Sequence, residues 1–275
     1  ERWRPDPGCT GHHPTRRGRY IHSLSLYEEN YIADSAADLK SVKGHLGEAV
    51  KDQHANGRMI IVLATIVINI CAVALLTFMP WSDWRTGLAL NLFDNLLLLG
   101  FVLRHRDIIL RRLLLFGLTL GFAELAADAW LVDYTRTLDY SIGGGPMLWR
   151  SPISMPLAWE IVGVQFGYVG LWLWRRFDRW GLIAIGLLGA INIPYYEEMA
   201  RRINWWEYSK CRMLSHTPYY IILGEFGIAI LLAILAKRVV QGSLINTVWL
   251  GLAGGAGILI CYAVAYGLTD GSIPH

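Results

Sequence analysis

Five carboxylate residues lie inside long apolar stretches of this 275-residue chain, and their chemistry sets them apart from the surrounding residues. They are Asp94, Glu124, Asp128, Glu160 and Glu225. A charged side chain at the centre of a bilayer costs roughly 2.5–3.5 kcal/mol on insertion scales, so residues of this kind usually serve a function. The same stretches contain no Lys, Arg or His, and the acids therefore have no basic partner within them.

Three arrangements would accommodate these acids in a membrane. Carboxyl groups that lie close together can share protons. Alternatively, the acids hold a divalent metal ion, for which oxygen ligands are suitable. The expected ligand set would then be Glu124, Asp128, Glu160, Glu197, His216 and Glu225. In the third arrangement a basic side chain folds in from a loop, and the candidates are Arg136, Arg150, Arg201, Arg202 and His216.

The apolar stretches predict the helices that must position the acids. A helix needs about 20 apolar residues to cross a bilayer. Seven stretches approach this length, at about 59–79, 86–103, 113–132, 153–173, 181–196, 217–236 and 243–266. The fifth is short and ends at Pro194, so we expect a tilted helix, a helix broken at this proline, or one finished by Tyr195 and Tyr196. Glu197 and Glu198 are expected to cap it at the outer edge. The sequence therefore predicts an all-α integral membrane protein with a seven-helix bundle over residues 58–275.

The acids fall at similar depths when residues are counted along these helices. At about 1.5 Å per residue, four of the five lie roughly 9–13 Å below the outer surface and Glu124 about 15 Å below it. One outward-leaning cavity lined by acids is the simplest arrangement. The residues expected to bind a substrate there are Asp94, Asn192, Tyr195, Trp159, Trp130 and Gln165, with Asn91 and Tyr168 nearby.

Several glycines have predicted roles beside these acids. Gly251, Gly254, Gly255 and Gly257 have the spacing of a close helix contact. The run Gly143-Gly144-Gly145-Pro146 predicts a flexible lid or a simple linker in an outer loop. Gly224, which precedes Glu225, is expected to leave room for a substrate.

The distribution of Lys and Arg predicts the orientation of the bundle. Cytoplasmic loops of membrane proteins carry an excess of these residues. With the N-terminus inside, eighteen of the twenty-five fall on the cytoplasmic side. His275 is then external, and a bacterial inner membrane is the expected location.

Residues 1–57 form a predicted cytoplasmic arm. Within it, apolar residues recur at helical spacing over about 28–56, namely Ile32, Ala36, Leu39, Val42, Leu46 and Ala49. This amphipathic helix would lie on the bilayer surface or dock a partner protein. The net charge of +3 gives no indication of nucleic-acid binding.

Several classes of membrane protein do not fit the sequence. A retinal protein needs a Schiff-base lysine, and the seventh stretch has none. Histidine-box enzymes need many closely spaced histidines, and haem proteins need a histidine at membrane depth; neither pattern occurs. The Glu-x-x-His pattern of di-iron bundles is also missing from the sequence.

The segment Leu157-Ala158-Trp159-Glu160-Ile161-Val162 resembles the Ala-Trp-Glu stretch of seven-span membrane terpene cyclases, which close meroterpenoids and indole diterpenes. Those proteins use one acid in this stretch and a second in a late span. The resemblance therefore implies that Glu160 and Glu225 are the catalytic acids. This chain departs from the pattern because its stretch lies in the fourth span and its arm is long. More broadly, the chain resembles a bacterial multi-span membrane family with no assigned function.

The expected function is acid–base catalysis within the membrane on an isoprenoid or other lipid, of the cyclase, hydratase or isomerase type. A carboxylic acid kept neutral by its surroundings can protonate an alkene or epoxide. Glu160 and Glu225 would carry the acid–base steps, and Glu124 and Asp128 would tune them. One alternative is an accessory subunit of a larger complex, whose carboxylates bind a metal or cofactor. A further alternative is a proton- or cation-coupled carrier.

Overall fold

A computed structural model describes residues 54–271, which form seven helices of 22 to 26 residues. The helices are α1 Ala55–Leu76, α2 Trp84–His105, α3 Ile108–Ala129, α4 Met155–Phe177, α5 Arg179–Ile203, α6 Tyr219–Gln241 and α7 Leu244–Thr269. The predicted arm and its helix over 28–56 lie almost wholly outside the described residues.

Four of these helices are long and apolar enough to cross a membrane, namely α1, α2, α6 and α7. The other three contain more charge: α3 has two arginines and two acids, and both α4 and α5 include arginines near their ends. The predicted class of an all-α membrane protein is therefore confirmed. A crossing by α3, α4 or α5 stays a prediction.

Helix α3 packs against α4 and α7 through glycines. A Cβ atom at Gly121 would lie only 2.2 Å from the carbonyl oxygen of Pro156 in α4. On the other side, a Cβ at Gly255 of α7 would lie 2.4 Å from the Cβ of Ala123. The predicted close packing by the glycines of α7 is thus confirmed. These contacts fix the position of the helix that carries Glu124 and Asp128.

Helix α5 differs from the prediction at its C-terminal half. The expected break at Pro194 is wrong, because α5 continues through this proline to Ile203. A proline inside a helix removes one backbone donor, and membrane helices tolerate this where neighbouring groups compensate. As a result Glu197 lies within the helix and is buried, rather than capping it at the surface.

The first helix contains a basic residue that the predicted span left out. Arg58 lies in α1, where its side chain is buried and forms an ion pair with Asp107 at 2.8 Å. Asp107 also caps α3 by accepting a hydrogen bond from the backbone N–H of Leu110 at 2.9 Å. Tyr168 of α4 contacts Arg58, so it lies beside this ion pair and not among the membrane acids.

The connections 130–154 and 204–218 form one end of the bundle, here called the loop end. A π-helical turn, Trp130–Thr135, extends α3, and a 3₁₀ turn follows at Ser141–Gly143. Three antiparallel pairs of short strands complete the loop end: β1 Leu138–Asp139 with β4 Glu207–Tyr208, β2 Met147–Leu148 with β3 Ser151–Pro152, and β5 Met213–Leu214 with β6 Thr217–Pro218. The β1–β4 pair joins the two connections.

Candidate active site

A cavity of about 210 Å³ lies at the loop end, lined by residues of all seven helices and of both connections. Aromatic rings form much of its wall, including Trp84, Trp159, Phe166, Trp205 and Trp206. Its polar lining includes Asn69, Asn91, Asp128, Tyr140, Gln165, Asn192, Glu197, Tyr208, Glu225 and Tyr262. Of the acids predicted to surround one outward-leaning cavity, Asp128 and Glu225 belong to its lining, and Glu197 joins them.

Three acids from three helices line this cavity. Asp128 near the end of α3, Glu197 of α5 and Glu225 of α6 are each at least 94% buried. Each accepts a hydrogen bond from an aromatic side chain: Tyr140 to Asp128 at 2.9 Å, Trp206 to Glu197 at 2.6 Å, and Tyr262 to Glu225 at 2.6 Å. The acids are thus held in place by phenol and indole donors.

Glu124 lies behind this lining, one helical turn before Asp128, and it is fully buried. Neither of its carboxyl oxygens has a hydrogen-bond partner of normal geometry. Its carboxyl is close to those of Asp128 and Glu225, with which it interacts electrostatically. A buried polar group without a partner is costly, so Glu124 is the least satisfied acid of the group.

Burial also determines the state of the tyrosine beside Asp128. Tyr140 lies in the connection after α3, and its removal from water raises the pKa of its phenol well above the usual value, with a further contribution from the nearby Asp128. The phenol therefore remains protonated at neutral pH. It acts as the donor in the hydrogen bond to Asp128.

Besides Glu124, two more of the five predicted acids lie outside the cavity lining. Glu160 is buried in α4, but Trp159 and Ile161 on either side of it reach the cavity and Glu160 does not. Asp94 is fully buried in α2 and accepts a hydrogen bond from the side-chain amide of Asn69. The structure therefore brings together Glu124, Asp128 and Glu225, and adds Glu197.

Some of the residues predicted to bind a substrate line the cavity, and others lie outside its lining. Trp159, Gln165 and Asn192 line the cavity. Trp130 instead stacks on Tyr134 and packs edge-on against Tyr266. Tyr195 donates its hydroxyl hydrogen to the backbone carbonyl of Ile70 in α1, so it joins two helices. Trp130 and Tyr195 are not part of the cavity lining, and their role in binding a substrate stays a prediction.

Two of the glycines with predicted roles at the site pack against aromatic rings in the structure. Gly145 packs against the ring of Trp84, where a Cβ would approach within 2.6 Å, so the run 143–145 contains a packed wall residue. The space beside Gly224 is filled by the ring of Tyr262, 2.4 Å from the position of a Cβ. The room left by Gly224 therefore serves Tyr262 and not a substrate.

The described residues contain no group of three or more His, Cys, Asp or Glu side chains placed to hold a metal ion. His216, expected in the metal set, pairs with Glu198 at 2.6 Å. Arg201 and Arg202 also pair with Glu198, and Arg150 pairs with Asp133. In residues 54–271 the cavity lining includes no Lys, Arg or His. The arrangement with a base folded in from a loop is therefore wrong for these residues.

The sequence analysis did not identify the aromatic donors Tyr140, Trp206 and Tyr262, nor Tyr208, whose hydroxyl donates to Glu197 at 3.4 Å. A signal existed for Tyr262, because a tyrosine in the middle of an apolar span needs a hydrogen-bond partner for its hydroxyl. The other three lie in loops, where the sequence does not indicate which ring turns inward. They reach the acids because β1 pairs with β4 and brings both connections over the cavity.

A family model described as a domain of unknown function, DUF6989, matches residues 125–269, more than half of the chain. The chain belongs to the DUF6989 family. Comparisons with curated proteins and with solved structures found no match. The DUF6989 match includes the three cavity acids and their aromatic donors, whereas Asn69 and Asp94 lie before it.

Proposed function

We propose that this DUF6989 protein is a membrane enzyme that performs acid–base chemistry on an isoprenoid or other lipid. The observation that carries the proposal is the placement of Asp128, Glu197 and Glu225 around one cavity with aromatic walls and no basic residue in its described lining. A site that holds neutral carboxylic acids in apolar surroundings can donate protons to weak bases such as alkenes and epoxides. The aromatic faces can stabilise a carbocation.

The membrane arrangement that we propose has seven crossings, one for each helix. The N-terminus is cytoplasmic, the loop end is external, and the membrane is a bacterial inner membrane. The support is the excess of Lys and Arg in the connections at the other end of the bundle, such as Arg104, Arg106, Arg175, Arg176 and Lys237. In this orientation the cavity lies in the outer leaflet, and a lipid substrate enters from the side of the bundle.

In the proposed reaction, Glu225 is the acid and Asp128 is the base. The O–H bond of Glu225 breaks as its proton adds to one carbon of an alkene, whose π electrons form the new C–H bond. The carbocation left on the other carbon is attacked by a second alkene of the same substrate, which closes a ring. Asp128 then removes a proton from a neighbouring carbon and a double bond forms, so the substrate is isomerised with no net gain of atoms.

Glu124 completes this proposed cycle. After one turnover Asp128 holds a proton and Glu225 lacks one. Glu124 interacts with both carboxyls and has unused hydrogen-bonding capacity. We assign to Glu124 the return of a proton from Asp128 to Glu225 behind the cavity wall, and the protons of these carboxyls exchange with solvent between turnovers.

The resemblance to membrane terpene cyclases supports the same type of chemistry but assigns one acid differently. Trp159 of the Ala-Trp-Glu stretch lines the cavity, whereas Glu160 lies outside the lining. The role of Glu160 implied by the resemblance stays a prediction. It makes Glu160 a suitable comparison residue, because it is a buried glutamate in the same membrane leaflet.

The test compares Glu225→Gln with Glu160→Gln in purified protein supplied with a panel of isoprenoid alcohols and their epoxides. General acid–base steps typically contribute 10²–10⁴-fold, and Gln preserves the shape while removing the exchangeable acid. We expect Glu225→Gln to lower turnover by about 10²-fold or more. Glu160→Gln should change turnover less than about 10-fold if only cavity acids react. If Glu225→Gln changes neither turnover nor ligand occupancy, the acids are structural and the protein is better described as an accessory subunit.

A further inference from the structure

Groups on the buried face of α1 fix the orientation of two side-chain amides that line the cavity, those of Asn69 and Gln165. The amide nitrogen of Asn69 donates to the carboxyl of Asp94 and, at 3.4 Å, to the backbone carbonyl of Thr65. A backbone carbonyl can only accept, so the NH₂ group of Asn69 must face it. The side-chain oxygen of Asn69 is consequently the atom that remains for the cavity, which this residue lines.

Gln165 of α4 is fixed by the same helix. The hydroxyl of Thr65 donates its hydrogen to the backbone carbonyl of Val62 at 2.8 Å, so only its lone pairs remain. The side-chain nitrogen of Gln165 donates to this hydroxyl at 3.1 Å. Gln165 also lines the cavity, and its side-chain oxygen remains as an acceptor.

Asp94 acts through Asn69 as a positioning residue. Its carboxyl is fully buried and is not part of the cavity lining. One of its oxygens accepts from Asn69 and the other has no partner. Asp94 therefore helps to hold the amide nitrogen of Asn69 away from the cavity.

We infer that the α1–α4 wall of the cavity is a subsite for an uncharged hydrogen-bond donor, specifically the hydroxyl group of an isoprenoid alcohol. Two amide oxygens remain as acceptors on this wall, and a hydroxyl placed between them can share its one hydrogen with both in a three-centre bond. Acids lie on α3, α5 and α6, and no Lys, Arg or His appears among the described lining residues. A diphosphate or carboxylate head group on this wall would face the two amide oxygens and would find no cation among the described lining residues. This inference rests on the proposed function and adds the class of the substrate head group.

Equilibrium binding tests this subsite without requiring turnover. Protein in lipid nanodiscs is titrated with farnesol, farnesyl methyl ether and farnesyl diphosphate, and binding is followed by quenching of tryptophan fluorescence after subtraction of empty nanodiscs. The ether has the same chain but no donor. We expect farnesol to bind about 10-fold more tightly than the ether, as for a buried acceptor that is left unpaired, and farnesyl diphosphate to show no saturable binding.

Two variants test whether the preference for the alcohol over the ether comes from the amides of Asn69 and Gln165. Gln165→Met and Asn69→Leu keep the approximate shape of each side chain and remove the acceptor. Each should lower farnesol affinity about 10-fold and leave the ether unchanged. Phe166→Leu, a change in an apolar wall residue, should weaken both ligands equally and serves as the control.

Three results would overturn the subsite: equal binding of alcohol and ether by the wild type, tighter binding of the diphosphate, or no saturable binding of farnesol. The subsite and the proposed function can be disproved separately. If Gln165→Met loses the preference for the alcohol while the wild type shows no turnover, the subsite is supported and the proposed enzyme activity is not. If turnover depends on Glu225 but the wild type shows no preference for the alcohol, the proposed activity is supported and the subsite is not.

Discussion

The phenol of Tyr262 donates to the carboxyl of Glu225 at 2.6 Å and joins α7 to α6 beside the cavity. The ring of Tyr262 rests on Gly224, the residue immediately before Glu225. One glycine therefore allows the close approach that lets the tyrosine reach the acid. This contact holds Glu225 in a fixed position against the cavity.

Removal of this hydroxyl should impair catalysis. In Tyr262→Phe, Glu225 loses its hydrogen-bond donor while the ring remains in place. Hydrogen bonds to charged groups are worth about 1.5–3 kcal/mol, so we expect turnover to fall about 10- to 100-fold. The control is Tyr220→Phe, which removes a buried hydroxyl bonded to Thr137 and not to an acid. Equal losses of turnover in the two variants would contradict the role of Tyr262.

The packing of α3 on α4 predicts a large effect of a single methyl group. Gly121→Ala places a Cβ against the backbone of Pro156, which can move only if the two helices separate. Overpacking of this kind costs about 1–3 kcal/mol, and we expect a lower unfolding midpoint in detergent. Gly100→Ala is the matched control, because a Cβ there meets no atom within 4 Å and alanine favours a helix by up to about 1 kcal/mol. A Gly121→Ala protein as stable as Gly100→Ala would show that the contact is loose.

The ion pair between Arg58 and Asp107 predicts a non-additive result. Their side chains are 6% and 1% exposed, so Arg58→Met leaves a buried carboxylate without its cation. This should cost about 3–5 kcal/mol. The double variant Arg58→Met/Asp107→Asn should recover part of that loss, because Asn removes the charge and keeps an acceptor for the helix cap. Additive losses in the unfolding free energies would show that the two residues do not interact.

The proposed orientation is testable by labelling introduced cysteines in intact cells. The natural Cys211 is a poor reporter, because burial raises the pKa of its thiol to about 12 and little thiolate forms at neutral pH. In a variant with all four cysteines replaced, Lys210→Cys should react with an impermeant maleimide from outside. Arg106→Cys should react only after permeabilisation. Both positions are exposed, so the reverse pattern would invert the orientation.

The sequence was informative where one residue type alone carried the signal. Acids in apolar stretches predicted that Asp128 and Glu225 line one cavity, and the spacing of small residues predicted how α7 packs on α3. The sequence was less informative where the result depended on the rotation of a helix. Trp159 and Glu160 are adjacent, yet only the first reaches the cavity. Residue spacing fixes which residues share a face, but neighbouring helices determine which face turns inward.

Glu197 shows the second limit of the sequence. Pro194 predicted the end of a helix, so Glu197 was expected at the surface, beyond the helix. Because α5 continues through the proline, Glu197 is one of the cavity acids, and the indole of Trp206 donates to it. Tertiary contacts around α5 outweighed the local preference of proline, and no single-residue signal indicates this.

The most direct test of the proposed acid chemistry follows the proton itself. Wild-type protein in nanodiscs is incubated in deuterium oxide with isoprenoid alcohols that carry alkenes and no epoxide, and the products are analysed by mass spectrometry. If Glu225 protonates an alkene, the cyclised product should carry one solvent deuteron on carbon, and Glu225→Gln should form little or no labelled product. Product without solvent deuterium, labelling that is unchanged in Glu225→Gln, or no product from the panel would contradict the account.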